Sequence, residues 1–308
     1  MRRLIFLWSM IFALRPAAAA FTGQDAGTAA AQFLRLGADA RAAGMGEAVR
    51  AVAEDSTALY WNPAGLAGLG YRHAAFTHGA YYQSMFYDSL AYAQPSRFGS
   101  LAVAILYLNA RSMPEVDNTG SLSGQSFSPQ DLGVTVGWGA ALARNLDVGI
   151  SAKYVASKIE ETAATGAVDF GARLRLRLAE MPYTLAAGIQ NLGGRLTFVS
   201  QSAPLPLLAF VGNALRLSRN WVISAEVVAP RDGKPYPAAG TEILVPFGNG
   251  MAAALRAGYG GRVSSQLAGL SGLCGGGGLS FTRLAVDYAW APFGLLGDTH
   301  RFSLSYRF

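Results

Sequence analysis

Apolar and polar residues alternate with a period of two through most of the chain, which is the mark of a sheet with one apolar and one polar face. From Leu146 to Tyr154, the residues Leu146, Val148, Ile150, Ala152 and Tyr154 share one side, and Asp147, Gly149, Ser151 and Lys153 the other. From Val168 to Leu178, an apolar set of Val168, Phe170, Ala172, Leu174, Leu176 and Leu178 opposes Asp169, Gly171, Arg173, Arg175 and Arg177. The last run opposes Phe302, Leu304, Tyr306 and Phe308 to Arg301, Ser303, Ser305 and Arg307.

Fourteen runs of this kind are counted, at 71–79, 84–95, 98–108, 130–144, 145–158, 166–178, 182–190, 206–218, 220–229, 239–247, 250–260, 270–279, 281–290 and 299–308. Most are about 9 to 13 residues long, the length a tilted membrane strand needs, whereas soluble strands average roughly 5–6. The aromatic residues Trp138, Tyr154, Tyr183, Trp221, Tyr259, Tyr288 and Trp290 fall where interfacial girdles would sit. Short polar turns such as Arg144-Asn145, Arg219-Asn220 and Phe247-Gly248-Asn249-Gly250 join hairpins, and Asn109 to Pro129 and Leu192 to Pro204 are the expected outward loops. The pattern predicts an all-β fold: a transmembrane antiparallel β-barrel of about 14 strands over residues 71–308, with lipid outside and a polar lumen.

Two segments depart from the alternation. Residues 1–20 read as a signal peptide, with Arg2 and Arg3 before an apolar stretch and Ala18-Ala19-Ala20 as the cleavage site, so that the mature chain starts at Phe21. No Cys follows those small residues, so the lipoprotein form of such a signal is absent. Residues 21–70 read as a plug, with Ala29 to Leu36 and Thr57 to Leu66 suited to short helices. The segment is too short to hold a core of its own and is expected to pack inside the barrel mouth. Several of the 37 glycines, among them Gly133, Gly137 and Gly139, then have a use: they line the lumen where a plug needs room, and Gly275 to Gly278 read as a strand that kinks or lies against it.

Composition agrees. Charged residues are 14% of the chain against roughly 25% in soluble proteins. The longest uncharged windows after the signal, Leu196 to Leu215 and Val263 to Thr282, are broken by Pro204 and Pro206 or by glycines, so no spanning helix is expected. A membrane chain without spanning helices must be a closed barrel, because only these two forms satisfy every backbone hydrogen bond inside hydrocarbon. Losing Arg2, Arg3 and Arg15 with the signal lowers the formal charge from +6 to +3, and the remaining basic residues form no cluster, which argues against a nucleic-acid partner. The lone Cys274 cannot form an intramolecular disulfide and reads as a small buried filler.

Candidate chemistry is sparse. His73 and His78 point to opposite faces of one strand, and His300, beside Asp298 and Thr299, suits a rim hydrogen bond; neither a catalytic set, a metal site nor a cofactor site emerges, so no enzyme is expected. Arg173, Arg175 and Arg177 form a basic row on one lumen face. It reads either as an anion-binding row or as partners for plug acids such as Asp39, Glu47, Glu54 or Asp55 and lumen acids such as Asp169, Glu226 and Asp287. Asn62-Pro63-Ala64-Gly65 reads as a rigid plug turn or as a latch that moves when a ligand or partner binds.

Residues Gln32 to Gly65, reading QFLRLGADARAAGMGEAVRAVAEDSTALYWNPAG, resemble the N-terminal signature of the PorV/PorQ family of outer-membrane proteins, and VDYAWAPFGLLGDTHRFSLSYRF, from Val286 to Phe308, looks like the end of that family. Asn62-Pro63-Ala64, with Asp55 seven residues before Asn62, is also similar to the hatch of the FadL family of fatty acid transporters. The first resemblance implies a scaffold or shuttle in type IX secretion and surface attachment, with secretion components or secreted cargo as partners. The second, the alternative, implies passage of small hydrophobic molecules through a fourteen-stranded barrel plugged by its N-terminal segment. The C-terminal Phe308 behind Tyr306 resembles the aromatic signal read by the barrel assembly machinery. Together these imply an integral protein of the bacterial outer membrane, in contact with its lipid.

Overall fold

A strand that alternates apolar and polar residues leaves its edges unpaired unless the sheet closes, and here it does. A computed structural model describes residues 27–81, 85–116, 119–264, 272–293 and 297–308. Its strands are β1 (His73–Ala80), β2 (Phe86–Ser96), β3 (Gly99–Asn109), β4 (Met113–Val116), β5 (Leu122–Phe127), β6 (Gln130–Ala143), β7 (Leu146–Lys158), β8 (Thr162–Leu178) and β9 (Met181–Gly193) in the first half. The second half adds β10 (Arg195–Phe198), β11 (Gln201–Pro204), β12 (Leu208–Ser218), β13 (Trp221–Pro230), β14 (Tyr236–Gly248), β15 (Met251–Gly260), β16 (Leu273–Phe281), β17 (Leu284–Pro292) and β18 (Asp298–Arg307). Fourteen of them form one closed barrel, while β4–β5 and β10–β11 are separate two-stranded hairpins. The seam pairs β1 antiparallel with β18, from His73 opposite Arg307 to Ala80 opposite His300.

Each of the fourteen expected windows overlaps one barrel strand. Outward positions carry exposed apolar side chains such as Leu90, Ile105, Phe170, Leu255 and Leu304, and the residues between them face the lumen and are buried or half-buried. Two-residue turns at 97–98, 144–145, 179–180, 219–220, 249–250 and 282–283 mark the end that faces the periplasm in outer-membrane barrels, so the longer connections, including both hairpins, mark the outer end. Trp138, Tyr183 and Trp221 lie toward the turn end of their strands and Tyr154, Tyr259 and Trp290 toward the loop end, giving two aromatic levels, whereas Tyr288 sits at the middle of its strand.

The plug runs through the lumen from the outer end to the periplasmic end. It comprises a 3-10 turn at Gln32–Arg35, a helix at Ala40–Gly44, a helix at Ala58–Trp61 and a 3-10 turn at Pro63–Gly68. The helix expected over 29–36 is thus one tight turn, because Ala31 (φ 52°) and Gly37 (φ 85°) adopt left-handed backbone on either side of it. Asp39 caps the second element by accepting from the Ala42 N–H at 2.7 Å, and Pro63 starts the last, where its missing N–H costs nothing. Helix Ala40–Gly44 packs on β16 and β17, and Pro63–Gly68 on β6, β7 and β8. The glycine expectation is met at the wall: a Cβ on Gly149 would collide with the Pro63 backbone. Of the run Gly275 to Gly278, it is Gly276 that lies against the plug, at Gly44. The signal peptide and cleavage site expected at residues 1–20 lie outside the described residues.

Candidate functional site

At the periplasmic end, Asn62 holds the plug turn from both sides. Its Oδ1 accepts from the Ala64 N–H at 3.1 Å, and its Nδ2 donates to the Arg50 carbonyl at 3.1 Å. Pro63, Ala64 and Gly65 continue as one buried turn against the barrel wall. Asp55 belongs to a different turn, where its Oδ1 accepts from the Thr57 N–H at 2.8 Å and the Thr57 hydroxyl at 2.6 Å. Next to it, Ser56 Oγ lies 2.8 Å from His73 Nδ1, a plug-to-wall contact.

The three arginines of β8 do not act as a unit. Arg173, only 1% exposed, donates to the carbonyls of Ala53 (3.1 Å) and Gly65 (3.4 Å) and pairs with Asp147 at 3.3 Å and Glu54 at 3.5 Å. Arg175, half exposed, pairs with Asp147 at 2.9 Å. Arg177 sits in solvent with its neighbour Glu180 at 3.2 Å. Asp147 was not among the partners named from sequence, although its lumen-facing position in β7, directly across from Arg173, carried the signal.

Further pairs tie the plug to the opposite wall. Arg41 makes two bonds to Glu242, at 2.8 and 2.7 Å; Glu242 also takes Arg256 at 2.7 Å, and Arg256 reaches Asp287 at 2.6 Å. Arg50 pairs with Glu226 and lies over the Trp61 and Phe210 rings. Glu47 sits between Arg301 at 3.2 Å and Arg262 at 3.5 Å. Burial pushes the Glu47 carboxyl up, but the positive charges of Arg262 and Arg301 outweigh it and hold the group below the usual glutamate value. Asp39, by contrast, is raised by burial even though Trp61 and the Ala42 N–H both donate to it.

The outer half of the lumen has a different character on one side. Leu106, Val155, Ala163 and Ala167 from the barrel join Leu196 and Leu205 of the outer connection in an apolar cluster, and Phe33 and Leu34 of the plug are buried within it. The plug segment that carries these two side chains is fastened at the outer rim. Asp232 accepts from Gln32 Nε2 at 2.6 Å and from Arg35 at 3.0 Å, Arg262 donates to the Arg35 carbonyl at 2.7 Å, and the Ala30 N–H donates to the Pro204 carbonyl at 2.9 Å. Asp232, Arg262 and Tyr60, whose hydroxyl donates to the Leu34 carbonyl at 2.8 Å, had no sequence signal, because their roles depend on where the plug threads.

Cavities around the plug are small, about 40 Å³ beside Glu47 and Arg301 and about 20 Å³ beside Leu34 and Leu106. A larger one of about 270 Å³ opens at the outer mouth between Arg195, Arg231, Ser202 and Asp232. Among the described residues, no cluster of three His, Cys, Asp or Glu side chains is placed to hold a metal ion. His300 finds its partner across the strand pair, with Nδ1 2.8 Å from the Tyr288 hydroxyl, instead of at its neighbours Asp298 or Thr299. His78 pairs with Asp88 at 2.7 Å on the outer face, and Cys274 is half-buried. At the end of the seam, Tyr306 and Phe308 stack edge to face at 4.8 Å, and the Phe308 N–H donates to the Arg72 carbonyl at 2.9 Å.

The chain is thus a closed fourteen-stranded antiparallel barrel with its N-terminal segment threaded through the lumen as a plug, a fold that resembles those of outer-membrane proteins. Among solved structures, the chain is similar to the toluene transporter TbuX of Ralstonia pickettii, with a TM-score of 0.61 and 13% identity over 88% of this chain and 98% of that one. It is also similar to the monoaromatic hydrocarbon channel CymD, with a TM-score of 0.59 and 11% identity over 89% and 98% of the two chains. The toluene transporter TodX of Pseudomonas putida gives 0.57 and 10% over 88% and 98%. No family model matches the sequence, and no curated protein is similar to it in sequence.

Proposed function

We propose that this protein is an integral outer-membrane channel for small apolar molecules, closed at rest by its plug. The observation that carries the reading is the apolar cluster in the outer lumen. A water-filled pore for polar solutes lines its lumen with polar groups. Here Leu106, Val155, Ala163 and Ala167 make one side of the outer lumen greasy just inside the mouth. The likeness of the fold to hydrocarbon channels supports the same reading. The chemistry asked of the protein is partitioning alone. An apolar solute leaves water for the cluster, a gain of about 25 cal/mol per Å² of surface buried, and the charged plug must yield for it to pass. The test is toluene uptake by cells whose lipopolysaccharide barrier is intact. Cells expressing the protein take up dilute toluene faster than cells without it, and uptake of toluene, hexane and oleate all unchanged by the protein would end the proposal.

The second reading is the secretion scaffold implied by the PorV/PorQ resemblance. One observation favours it: the outer hairpins hold apolar side chains away from the barrel, with Leu122 70% and Val199 87% exposed. Such residues suit a protein partner at the rim. Gentle solubilisation of the outer membrane followed by mass spectrometry separates the two readings. Stoichiometric secreted cargo or secretion subunits would favour the scaffold, and apolar small molecules without a protein partner the channel.

A further inference from the structure

We propose that the turn end of the barrel binds anionic glycerophospholipids of the surrounding periplasmic leaflet through a ring of arginines. The inference depends on the orientation of the barrel in the membrane and holds for a channel and for a scaffold alike. Four of the periplasmic turns carry an exposed arginine: Arg97 between β2 and β3, Arg144 between β6 and β7, Arg219 between β12 and β13, and Arg283 between β16 and β17. At the seam Arg72 and Arg307 stand next to Arg283, because the Phe308 N–H donates to the Arg72 carbonyl at 2.9 Å and the Arg307 N–H to the Arg283 carbonyl at 2.8 Å. The side-chain carboxylates at this end are already engaged, Glu54 and Asp147 by Arg173, Glu180 by Arg177, and Asp55 by Thr57. Among the described residues, none forms an ion pair with the four turn arginines. The outer end is mixed instead, with Glu160, Glu161 and Asp298 exposed alongside Arg111, Lys158 and Lys234.

What stands beside these arginines points to lipid. Each turn arginine has an exposed apolar side chain one or two residues away: Phe98, Leu142, Trp221 and Phe281 in turn. The Arg97 guanidinium lies over the Phe98 ring at 4.3 Å, and Trp138, from the aromatic level at this end, donates to the Phe98 carbonyl at 2.9 Å, which sets the turn at the membrane–water boundary. An apolar side chain at the acyl boundary with a guanidinium just beyond it suits a headgroup phosphate, which arginine grips through two parallel N–H donors. The lysines of the chain, Lys153, Lys158 and Lys234, lie in the lumen or at the outer end, so every cation of the ring has that fork. The ring also runs round the circumference. A leaflet encloses the barrel and meets all of it, whereas a soluble acidic partner docking from one side would need the cations gathered there.

The experiment mixes the full chain, purified in dodecyl maltoside, with equal amounts of phosphatidylglycerol and phosphatidylethanolamine of the same acyl chains, and mass spectrometry counts the lipids that stay bound through gel filtration. Wild type should retain phosphatidylglycerol roughly threefold over phosphatidylethanolamine. Arg97→Gln, Arg144→Gln and Arg219→Gln combined should lose that preference. Arg111→Gln, Lys158→Gln and Lys234→Gln combined remove the same charge from the outer end and should keep it. Equal retention of both lipids by wild type, or equal loss in both triple variants, would overturn the proposal. So would full displacement of phosphatidylglycerol by the same concentration of glycerol phosphate, which would make the ring a reader of free phosphate. An acidic periplasmic protein held by wild type and lost by the turn variant, with no lipid preference in either, would give the ring to a protein partner and end the proposal as well. Heat-modifiable mobility shows whether each variant forms the barrel, and Arg144→Gln alone, expected to lower the preference part of the way, supplies the comparison should the turn variant fail to fold.

Discussion

Asn62 occupies the space that a side chain at residue 171 would need: a Cβ built on Gly171 of β8 would collide with Asn62 Oδ1. The atom in question is the cap of the Pro63–Gly68 turn, already bonded to the Ala64 N–H. One missing methyl group on the wall thus lets the plug turn lie flat against it. Gly171→Ala should push the turn away and cost about 1–3 kcal/mol of plug docking, as overpacking of a filled interior does. Protease cleavage within residues 50–68 should rise while the barrel keeps its heat-modifiable mobility; an unchanged cleavage rate would mean that the wall gives way instead.

Asn62 itself should be harder to replace than its neighbours. Asn62→Asp keeps the cap but turns the Nδ2 donor into an oxygen facing the Arg50 carbonyl. A buried acceptor left without a donor costs about 1–3 kcal/mol. Hydrogen exchange at residues 50 and 62–66 should speed up in Asn62→Asp, and Ala64→Ser, which leaves both bonds intact, should change it far less.

The β8 arginines offer a contrast within one row. Arg173 is fully buried and bonds to two plug carbonyls as well as to Asp147, so Arg173→Ala should release the plug and destabilise the wall, by less than the about 3–5 kcal/mol of an uncompensated buried charge because Arg175 still pairs with Asp147. Arg177→Ala removes an exposed pair with Glu180 and should leave plug order and melting unchanged. Arg175→Glu sets a second carboxylate beside Asp147, which lies 2.9 Å from the guanidinium it loses, and should resemble a mild form of Arg173→Ala. Altered anion conductance of Arg175→Glu with an undisturbed plug would instead make the row an ion path.

These pairs show where the sequence was legible. Barrel strands were readable because lipid on one side and a plug on the other impose a period of two on every one of them, as Leu146 to Tyr154 shows. The hairpins β4–β5 and β10–β11 were not, because they are short and meet no lipid, so no alternation is required of them. The plug was readable as a departure from the pattern but its conformation was not. Ala29 to Leu36 suits a helix by propensity, and the tethers of Gln32 and Arg35 to Asp232, some 200 residues away, hold a single tight turn in its place. The Arg173 row was visible as a face, whereas Asp147 as its partner required the register between β7 and β8.

Glu47 makes plug docking sensitive to acid. Its carboxyl is held below the usual glutamate value by Arg262 and Arg301, so its contribution is complete above that usual value and is lost as pH falls through the lower, folded-state value. Protection of the amides at residues 45–50, taken relative to the intrinsic exchange rate at each pH, should therefore be flat from neutral pH down to about pH 5 and fall in more acidic solution. Glu47→Gln should remove most of that fall and leave lower protection at neutral pH; an identical acid profile in the variant would assign the effect to other carboxylates.

Phe308 separates assembly from stability. The closing seam joins β18 to β1 over eight residue pairs, and Phe308 lies beyond the last of them, adding one backbone bond to Arg72 and ring contacts with Tyr306 and Tyr92. Deleting it therefore removes little of the ladder, and the truncated protein should refold in detergent with nearly the wild-type yield. In cells the requirement is different: until the seam forms, β1 and β18 are both open edges that invite wrong pairing. If the terminal aromatic is the recognised feature, the deletion should lower the heat-modifiable fraction in outer membranes severalfold while leaving refolding intact, with Phe308→Tyr close to wild type. Equal losses in both settings would mean that Phe308 acts by holding the seam together and carries no assembly signal.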